Sequence, residues 1–226
     1  MPERIEIKTS DDVAIIGDYY APANQSAKGL LLLHMMSVTR QSWKAFAEKM
    51  QADGWHVLAI DLRGHGESAG GPDGYKQFGD AEHQASKFDV GVGVEFLKSR
   101  GVSAFSLGGA SIGANLALQF LAGHPEAKAA FLLSPGLNYR GVAAEPAAPS
   151  LRPGQAVYYV ASRDDKASAD AILRLMAITP AGVEKDVKLF DTAGHGTTIF
   201  ERQPEFMRTV ATWLDVRYDG VKGRNI

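Results

Sequence analysis

The chain contains no cysteine among its 226 residues. This absence excludes disulfide bridges, a thiolate nucleophile and cysteine-ligated zinc. A covalent catalyst in this protein must therefore use an oxygen or a nitrogen nucleophile. The spacing of histidines and carboxylates does not resemble a metal site either, so we expect neither a metal nor another cofactor.

The chain also lacks long apolar runs and a strong excess of charge. No apolar stretch is long enough to cross a bilayer, so we expect no membrane span. The net charge of -2 and the absence of a basic cluster argue against a nucleic-acid partner. Residues 1–6 lack the basic and then apolar pattern of a secretory signal, so we expect a cytoplasmic protein. Nothing in the sequence determines the oligomeric state.

The amino-acid composition and the length of the chain are typical of a globular domain. Hydrophobic residues make up 45% of the chain and charged residues 22%, which favours a folded chain over a disordered one. We expect a single domain over residues 1–226, because no repeat or linker divides the chain. Residues 142–153 are rich in alanine and proline and predict a loop, too short to form a large cap.

Apolar runs alternate with helical patterns along the chain. Residues 4–9 and 13–20 predict an antiparallel hairpin. Further strands are predicted at residues 29–34, 56–61, 102–108, 129–134, 155–161 and 187–191. Helices are predicted at residues 41–53, 79–100, 112–123, 167–177 and 204–216. This alternation indicates an α/β fold with a mostly parallel sheet and helices on both faces. We expect the polar tail, residues 218–226, to fray.

The most informative motif is Gly109-Ala110-Ser111-Ile112-Gly113, which lies between a predicted strand and a predicted helix. A serine at the tip of such a sharp turn needs small residues two positions to either side, and Gly109 and Gly113 meet that need. Ser111 is therefore a candidate nucleophile. The plainer interpretation is a serine that caps the helix.

An activated serine needs a histidine base and an acid that orients the histidine. His195 lies between two glycines just after the last predicted strand, and Asp164 and Asp165 follow the strand at residues 155–161. The order of serine, acid and histidine along the chain therefore suits a Ser-His-Asp triad. A histidine in a surface loop is the plainer interpretation of His195.

Taken together, these motifs resemble those of the α/β-hydrolase superfamily over nearly the whole chain. Residues 30–36 are similar to the superfamily's strand and oxyanion-loop entry, residues 61–68 (DLRGHGES) to its signature turn, and residues 109–113 to its nucleophile elbow. Within the superfamily the chain is similar to small, lidless serine esterases near the dienelactone-hydrolase branch, with Ser111 where that enzyme has a cysteine. The resemblance implies an α/β-hydrolase fold without a large cap domain.

The resemblance also bears on which aspartate is the triad acid. Asp165 fits if Ser162 takes the superfamily's small position after the strand, whereas Asp164 fits if Ala161 takes it. We prefer Asp165 and keep Asp164 as the alternative.

Acyl transfer also requires two backbone N–H groups that stabilise the oxyanion. The expected donors are Ile112, directly after the nucleophile, and Met36, with Met35 as an alternative. Here His34-Met35-Met36 departs from the superfamily's common His-Gly-x sequence. We expect the two methionines to line the substrate pocket, and His34 to anchor the loop by hydrogen bonds rather than to transfer a proton.

The function predicted on these grounds is hydrolysis of carboxylic esters by a serine hydrolase that forms an acyl-enzyme. The substrates expected are small-molecule esters with short or sterically open acyl groups, because the chain leaves no room for a large cap. The same residues would also suit a thioesterase, another acyl hydrolase or a perhydrolase. A catalytically silent hydrolase fold that binds a ligand is the non-enzymatic alternative.

Overall fold

The structure is a computed structural model that describes residues 1–219. Its strands are β1 (Glu3–Lys8), β2 (Ala14–Tyr20), β3 (Lys28–Leu33), β4 (His56–Ile60), β5 (Ala104–Ala110), β6 (Ala129–Leu133), β7 (Asn138–Tyr139), β8 (Val142–Ala143), β9 (Ala156–Ser162) and β10 (Glu184–Phe190). Its helices are α1 (Lys44–Ala52), α2 (Asp80–Ala85), α3 (Lys87–Ser99), α4 (Ile112–Gly123), α5 (Lys166–Ile178), α6 (Thr198–Arg202) and α7 (Phe206–Asp219). None of the helices described has the length and apolar character needed to span a bilayer.

Eight of the strands form one sheet in the order β1-β2-β4-β3-β5-β6-β9-β10. β2 is antiparallel to both β1 and β4, and the remaining neighbours are parallel to one another. The predicted N-terminal hairpin and mostly parallel sheet are thus confirmed. The carboxyl ends of β3, β5, β6 and β9 meet at one edge, so the loops that follow these strands are neighbours.

The sheet is buried between two apolar layers of side chains. Along β3, Leu31 and Leu33 pack into one layer and Leu30 and Leu32 into the other, because successive side chains point to opposite faces. All four leucines are 0% exposed, which explains why this strand is apolar at consecutive positions. Helices α3, α4 and α5 contribute to the first layer, and α1 and α7 to the second. The prediction of helices on both faces is confirmed.

Some predicted elements differ in detail from those observed. The helix predicted at residues 79–100 is two helices, α2 and α3, which are separated at Ser86, where ψ is -11°. The loop predicted at residues 142–153 contains β8 and a short 3-10 turn, Ala148–Ser150, and α6 was not predicted. Tyr218, expected in a frayed tail, is buried and its hydroxyl hydrogen-bonds Ser106 at 2.7 Å. Residues 220–226 of that tail lie outside the described residues.

The connection from β6 to β9 holds no large cap in the described chain. It contains the two-stranded β7–β8 ribbon and the Ala148–Ser150 turn. The ribbon reverses through Arg140 and Gly141, whose positive φ angles of 52° and 80° are those of a tight hairpin turn. The expectation that no large cap lies in this connection is therefore confirmed for the described residues.

A buried carboxylate organises the turn after β4. Asp61 is 0% exposed and accepts hydrogen bonds from the backbone N–H groups of Arg40 and Glu67. The Arg40 guanidinium also pairs with this carboxylate and reaches the Asp18 carboxylate at 2.9 Å. Because the buried charge is matched and hydrogen-bonded, it fixes the shape of the turn at residues 61–68.

His34 joins that turn to the loop after β3. Its Nε2 accepts a hydrogen bond of 2.9 Å from the backbone N–H of Leu62. Nδ1 must then carry the ring proton, and it donates to the Met35 carbonyl at 2.7 Å. Burial, together with the smaller effect of the nearby His65 ring, lowers the pKa of His34 to about 3. His34 is therefore a neutral ring that anchors the loop, as expected.

We predict that His34 makes the stability of the protein depend on pH. Its pKa in the folded chain, about 3, lies below the unfolded value of 6.5. The unfolded chain therefore binds an additional proton as the pH falls below about 6.5, so stability is lost in that direction. Between about pH 7 and about pH 5, this one group should lower the free energy of unfolding by about 2 kcal/mol.

Urea unfolding of the wild type and of His34→Gln at the two pH values measures this contribution. The variant should be less stable at neutral pH, and its stability should fall by about 2 kcal/mol less on acidification. Equal losses in the two proteins would show that His34 does not titrate in this way.

We also predict that α4 tolerates alanine at one glycine and not at another. A Cβ on Gly113 would overlap the backbone carbonyls of Leu33 and His34, where the helix passes close to β3. A Cβ on Gly123, at the other end of the same helix, would meet nothing within 4 Å. In denaturant unfolding, Gly113→Ala should lose about 1–3 kcal/mol, whereas Gly123→Ala should change stability by about 0.5 kcal/mol or less. Equal effects would contradict the close approach of α4 to β3.

Candidate active site

Ser111 occupies the turn between β5 and α4 in a strained conformation. Its φ of 55° and ψ of -119° are rarely adopted by residues other than glycine. The backbone N–H of Ser111 donates to the Leu133 carbonyl at 2.8 Å, which ties the turn to the end of β6. A Cβ on Gly109 would overlap the backbone of Gly113. The two glycines therefore allow the tight turn that presents Ser111, as the motif predicted.

His195 and Asp165 form a hydrogen bond at the same edge of the sheet. The Nδ1 atom of His195 lies 2.6 Å from Oδ2 of Asp165, and the two side chains are 40% and 17% exposed. Because a carboxylate can only accept, Nδ1 donates and the neutral ring keeps its lone pair on Nε2. His195 is therefore held in the tautomer that a general base requires.

Asp164, the alternative acid, has different contacts. Its carboxylate accepts from the backbone N–H of Gly194 at 3.1 Å and lies 3.4 Å from a guanidinium nitrogen of Arg202. A hydrogen bond from the Ser162 hydroxyl lowers the pKa of Asp164, and the Gly194 N–H lowers it further. The structure thus brings Asp165 to His195 and uses Asp164 to hold the backbone of the His195 loop.

Two buried serines hold the same loop. The hydroxyl of Ser162, at the end of β9, accepts from the backbone N–H of Ala193 at 2.7 Å. The hydroxyl of Ser134, which follows β6, accepts from the backbone N–H of Gly196 at 2.9 Å. Ala193, two residues before His195, and Gly196, directly after it, are therefore fixed by the ends of β9 and β6. Sequence reasoning missed Ser134, although a small polar residue at the end of a parallel strand beside β5 is a usable signal.

The His195 loop also lies against the Ser111 turn. A Cβ on Gly196 would lie 3.5 Å from the Cβ of Ala110, the residue before Ser111. The Leu133–Ser134 segment is hydrogen-bonded to both the Ser111 turn and the His195 loop. The Leu133 carbonyl accepts from the Ser111 N–H, and the Ser134 hydroxyl accepts from the Gly196 N–H. Ser111, His195 and Asp165 are consequently collected at one edge of the sheet.

The predicted oxyanion donors flank Ser111 from two elements. Ile112 is the first residue of α4, so its N–H has no partner within the helix. Met36 lies in the loop after β3. The carbonyl of the preceding residue, Met35, accepts a hydrogen bond from His34. Because a trans peptide points its N–H away from its carbonyl, this bond also fixes the direction of the Met36 N–H. The assignment of both donors stays a prediction.

The side chains of Met35 and Met36 pack on opposite faces of the sheet. Met35 packs against the apolar layer that contains Ala110, and its sulfur lies directly beside Gly196 in the His195 loop. Met36 packs against the opposite layer. Each side chain is half-buried. Their contribution to a substrate pocket stays a prediction, and Met35 is the one that contacts the His195 loop.

Tyr139 is a further residue of this edge that sequence reasoning did not select. Its ring meets that of His195 edge to face, with centroids 6.3 Å apart. Its hydroxyl lies 3.1 Å from the Ser168 hydroxyl and donates to the Ser134 backbone carbonyl at 3.5 Å. The two-residue strand that carries Tyr139 has no periodicity to reveal it.

Within residues 1–219, no group of three histidine, aspartate or glutamate side chains is arranged to hold a metal ion.

Several solved structures share this fold. The esterase Pf2001 of Pyrococcus furiosus superposes with a TM-score of 0.79 at 19% identity, over 95% of this chain and 92% of that one. An esterase of Exiguobacterium antarcticum gives a TM-score of 0.73 at 12% identity, over 94% and 100%. A hydrolase of Thermoplasma acidophilum described as CIB-like gives 0.68 at 16% identity, over 95% and 98%. At these identities the likeness shows the α/β-hydrolase fold.

Sequence comparison identifies the family. No curated protein matches the chain. The family model described as serine aminopeptidase, S33 matches residues 24–174, which is two thirds of the chain and includes the Ser111 turn and Asp165. The kinship with α/β-hydrolases expected from the motifs is confirmed, whereas a place near the dienelactone-hydrolase branch stays a prediction. The chain belongs to the serine aminopeptidase S33 family of α/β-hydrolases.

Proposed function

We propose that the protein hydrolyses carboxylic esters, with Ser111 as nucleophile, His195 as general base and acid, and Asp165 as the residue that orients His195. The observation that carries this proposal is the 2.6 Å bond between His195 and Asp165, made by a loop packed against the strained turn of Ser111. A serine, an imidazole and a carboxylate in this relation are the groups that nucleophilic acyl transfer requires.

In the first half of the reaction, Ser111 is acylated. Its Oγ attacks the ester carbonyl carbon while Nε2 of His195 removes the hydroxyl proton. The imidazolium that forms is stabilised by the Asp165 carboxylate. The backbone N–H groups of Ile112 and Met36 receive the developing oxyanion, and the dipole of α4 favours negative charge at its first residue. His195 then returns the proton to the leaving alcohol as the ester bond breaks.

In the second half, water removes the acyl group. His195 takes a proton from the water, whose oxygen attacks the acyl carbon of the Ser111 ester. The same two N–H groups stabilise the second oxyanion. The proton on His195 returns to the Oγ of Ser111, which restores the free protein.

Esters are favoured over peptides as substrates. An aminopeptidase must bind the ammonium group of its substrate, and carboxylates are suited to that task. The two carboxylates between β9 and α5 are already engaged, Asp165 by His195 and Asp164 by the Gly194 N–H and Arg202. Two of the proteins whose structures share the fold are described as esterases. The small β7–β8 ribbon suits short or sterically open acyl groups.

The proposal predicts a specific pattern of activity among variants at the site. Wild-type protein should hydrolyse p-nitrophenyl acetate and should leave amino-acid p-nitroanilides largely uncut. Ser111→Ala should abolish ester hydrolysis, because no other group can carry the acyl chain. Hydrolysis of p-nitrophenyl acetate at near wild-type rate by Ser111→Ala would refute the assignment of the nucleophile.

In the same assay, the neighbouring aspartates form a matched pair. Asp165→Asn should lower kcat on the order of 10⁴-fold, because His195 loses the carboxylate that fixes its tautomer and stabilises its charge. Asp164→Asn keeps a side-chain oxygen that can accept from Gly194, so its kcat should fall by about tenfold or less. The reverse ranking would assign the acid to Asp164.

A further inference from the structure

Tyr139 lies on the opposite side of Ser111 from the proposed oxyanion loop. In the sheet, β5 has β3 on one side and β6 on the other. The loop after β3 carries Met36, whereas the β7–β8 ribbon that carries Tyr139 follows β6. The two segments therefore flank Ser111 from opposite directions.

The ribbon is fixed to the helix that begins at the Ser111 turn. The Asn115 side chain donates to the Val142 carbonyl at 2.7 Å and accepts from the Gly136 N–H at 3.1 Å. One turn further along α4, the Gln119 side chain donates to a carbonyl of β8 at 3.0 Å. Asn115 is 0% exposed. The buried Asn115 amide, hydrogen-bonded through both its nitrogen and its oxygen, holds the segment rigidly, so the position of Tyr139 relative to Ser111 is set by α4.

The aromatic ring of Tyr139 is held between Gly136 and His195. A Cβ on Gly136 would lie 2.7 Å from the ring, so only glycine allows this approach. The ring planes of Tyr139 and His195 are inclined at 88°, which is the edge-to-face arrangement that aromatic pairs prefer. The ring therefore lies beside His195, and its hydroxyl lies above the start of α5, 3.1 Å from the Ser168 hydroxyl.

The hydroxyl keeps its proton and has adaptable partners. Burial raises the pKa of Tyr139, so the phenol is neutral near neutral pH and can donate a hydrogen bond. It donates to the Ser134 backbone carbonyl over a long distance of 3.5 Å, and its side-chain partner, Ser168, is itself a hydroxyl. Because the bond to Ser134 is long and the Ser168 hydroxyl can rotate, the Tyr139 hydroxyl can donate to a substrate atom instead at little cost.

We propose that Tyr139 is a further catalytic residue, whose hydroxyl donates a hydrogen bond to the leaving oxygen of the ester. This inference rests on the function proposed above. During acylation the bond from the Ser111 Oγ to the acyl carbon forms and the bond to the leaving oxygen breaks. The Ser111 proton passes through His195 to that oxygen, which must therefore lie beside His195. The Tyr139 ring contacts His195 on the side of Ser111 away from the Met36 loop, and its hydroxyl keeps its own proton throughout.

The role of Tyr139 implies a preferred class of substrate, namely esters of weakly acidic aliphatic alcohols. An aliphatic alkoxide is a poor leaving group, so its departure gains from a second donor as charge develops on the oxygen. A nitrophenolate leaves readily without such help. Removal of the hydroxyl should therefore harm alkyl esters selectively.

The test compares Tyr139→Phe with the wild type on ethyl acetate and p-nitrophenyl acetate, which give the same acetyl-enzyme. The value of kcat/KM for ethyl acetate, followed by acid release, should fall by about fivefold or more. The value for p-nitrophenyl acetate should change by about twofold or less. Across a series of acetate esters, the logarithm of kcat/KM should depend more steeply on the pKa of the leaving alcohol in the variant. Equal losses on both esters, or no loss on either, would overturn the inference.

Ser168→Ala is the matched control for a merely structural bond. It removes the hydroxyl partner of Tyr139 and leaves the phenol in place. If Tyr139 acts on the leaving oxygen, Ser168→Ala should not reduce kcat/KM for ethyl acetate. If the bond to Ser168 serves only to position α5, both variants should lose activity equally on both esters, and the inference fails. A wild type that is inactive on every ester would instead refute the proposed function itself.

Discussion

The close approach of α4 to the ends of β3 and β5 is the constraint on which the rest of the site depends. The helix begins immediately after a residue with positive φ. The contact is so close that there is no space for a side chain at Gly109 or Gly113. The backbone strain at Ser111 is tolerated because buried strands surround the turn on both sides. The same geometry places Ser111 at the carboxyl edge of the sheet with the first N–H of α4 beside it.

A second constraint is the way in which strand ends control the long loop of His195. That loop follows β10, at the outer edge of the sheet, and must reach β5 three strands away. Short polar side chains on the intervening strand ends, Ser134 and Ser162, accept from its backbone N–H groups, and Asp164 does the same. Each bond satisfies a donor that would otherwise be costly to leave unpaired. The loop is therefore held at several points rather than at His195 alone.

The sequence predicts the strand and helix alternation, and with it most of the sheet, because buried parallel strands are apolar at consecutive positions. Local patterns also suffice for Ser111 and His195 as candidates. The choice between Asp164 and Asp165 depends on where β9 ends, which no local pattern specifies. It ends at Ser162, and Asp165 then caps α5 and bonds His195. The contacts of Tyr139 depend on two segments far apart in the chain, so they became visible only in the fold.

The central claim, that the fold makes Ser111 the nucleophile, is tested most directly by labelling with a fluorophosphonate and locating the adduct. Such probes phosphonylate an activated serine hydroxyl and leave ordinary serines unmodified. Mass spectrometry of the labelled wild-type protein should show one adduct, and peptide mapping should place it on Ser111. Unfolding the protein before labelling should prevent the reaction, because the proposed activation requires His195 and Asp165 beside Ser111. An adduct on a different residue, or no adduct on the folded protein, would contradict the account.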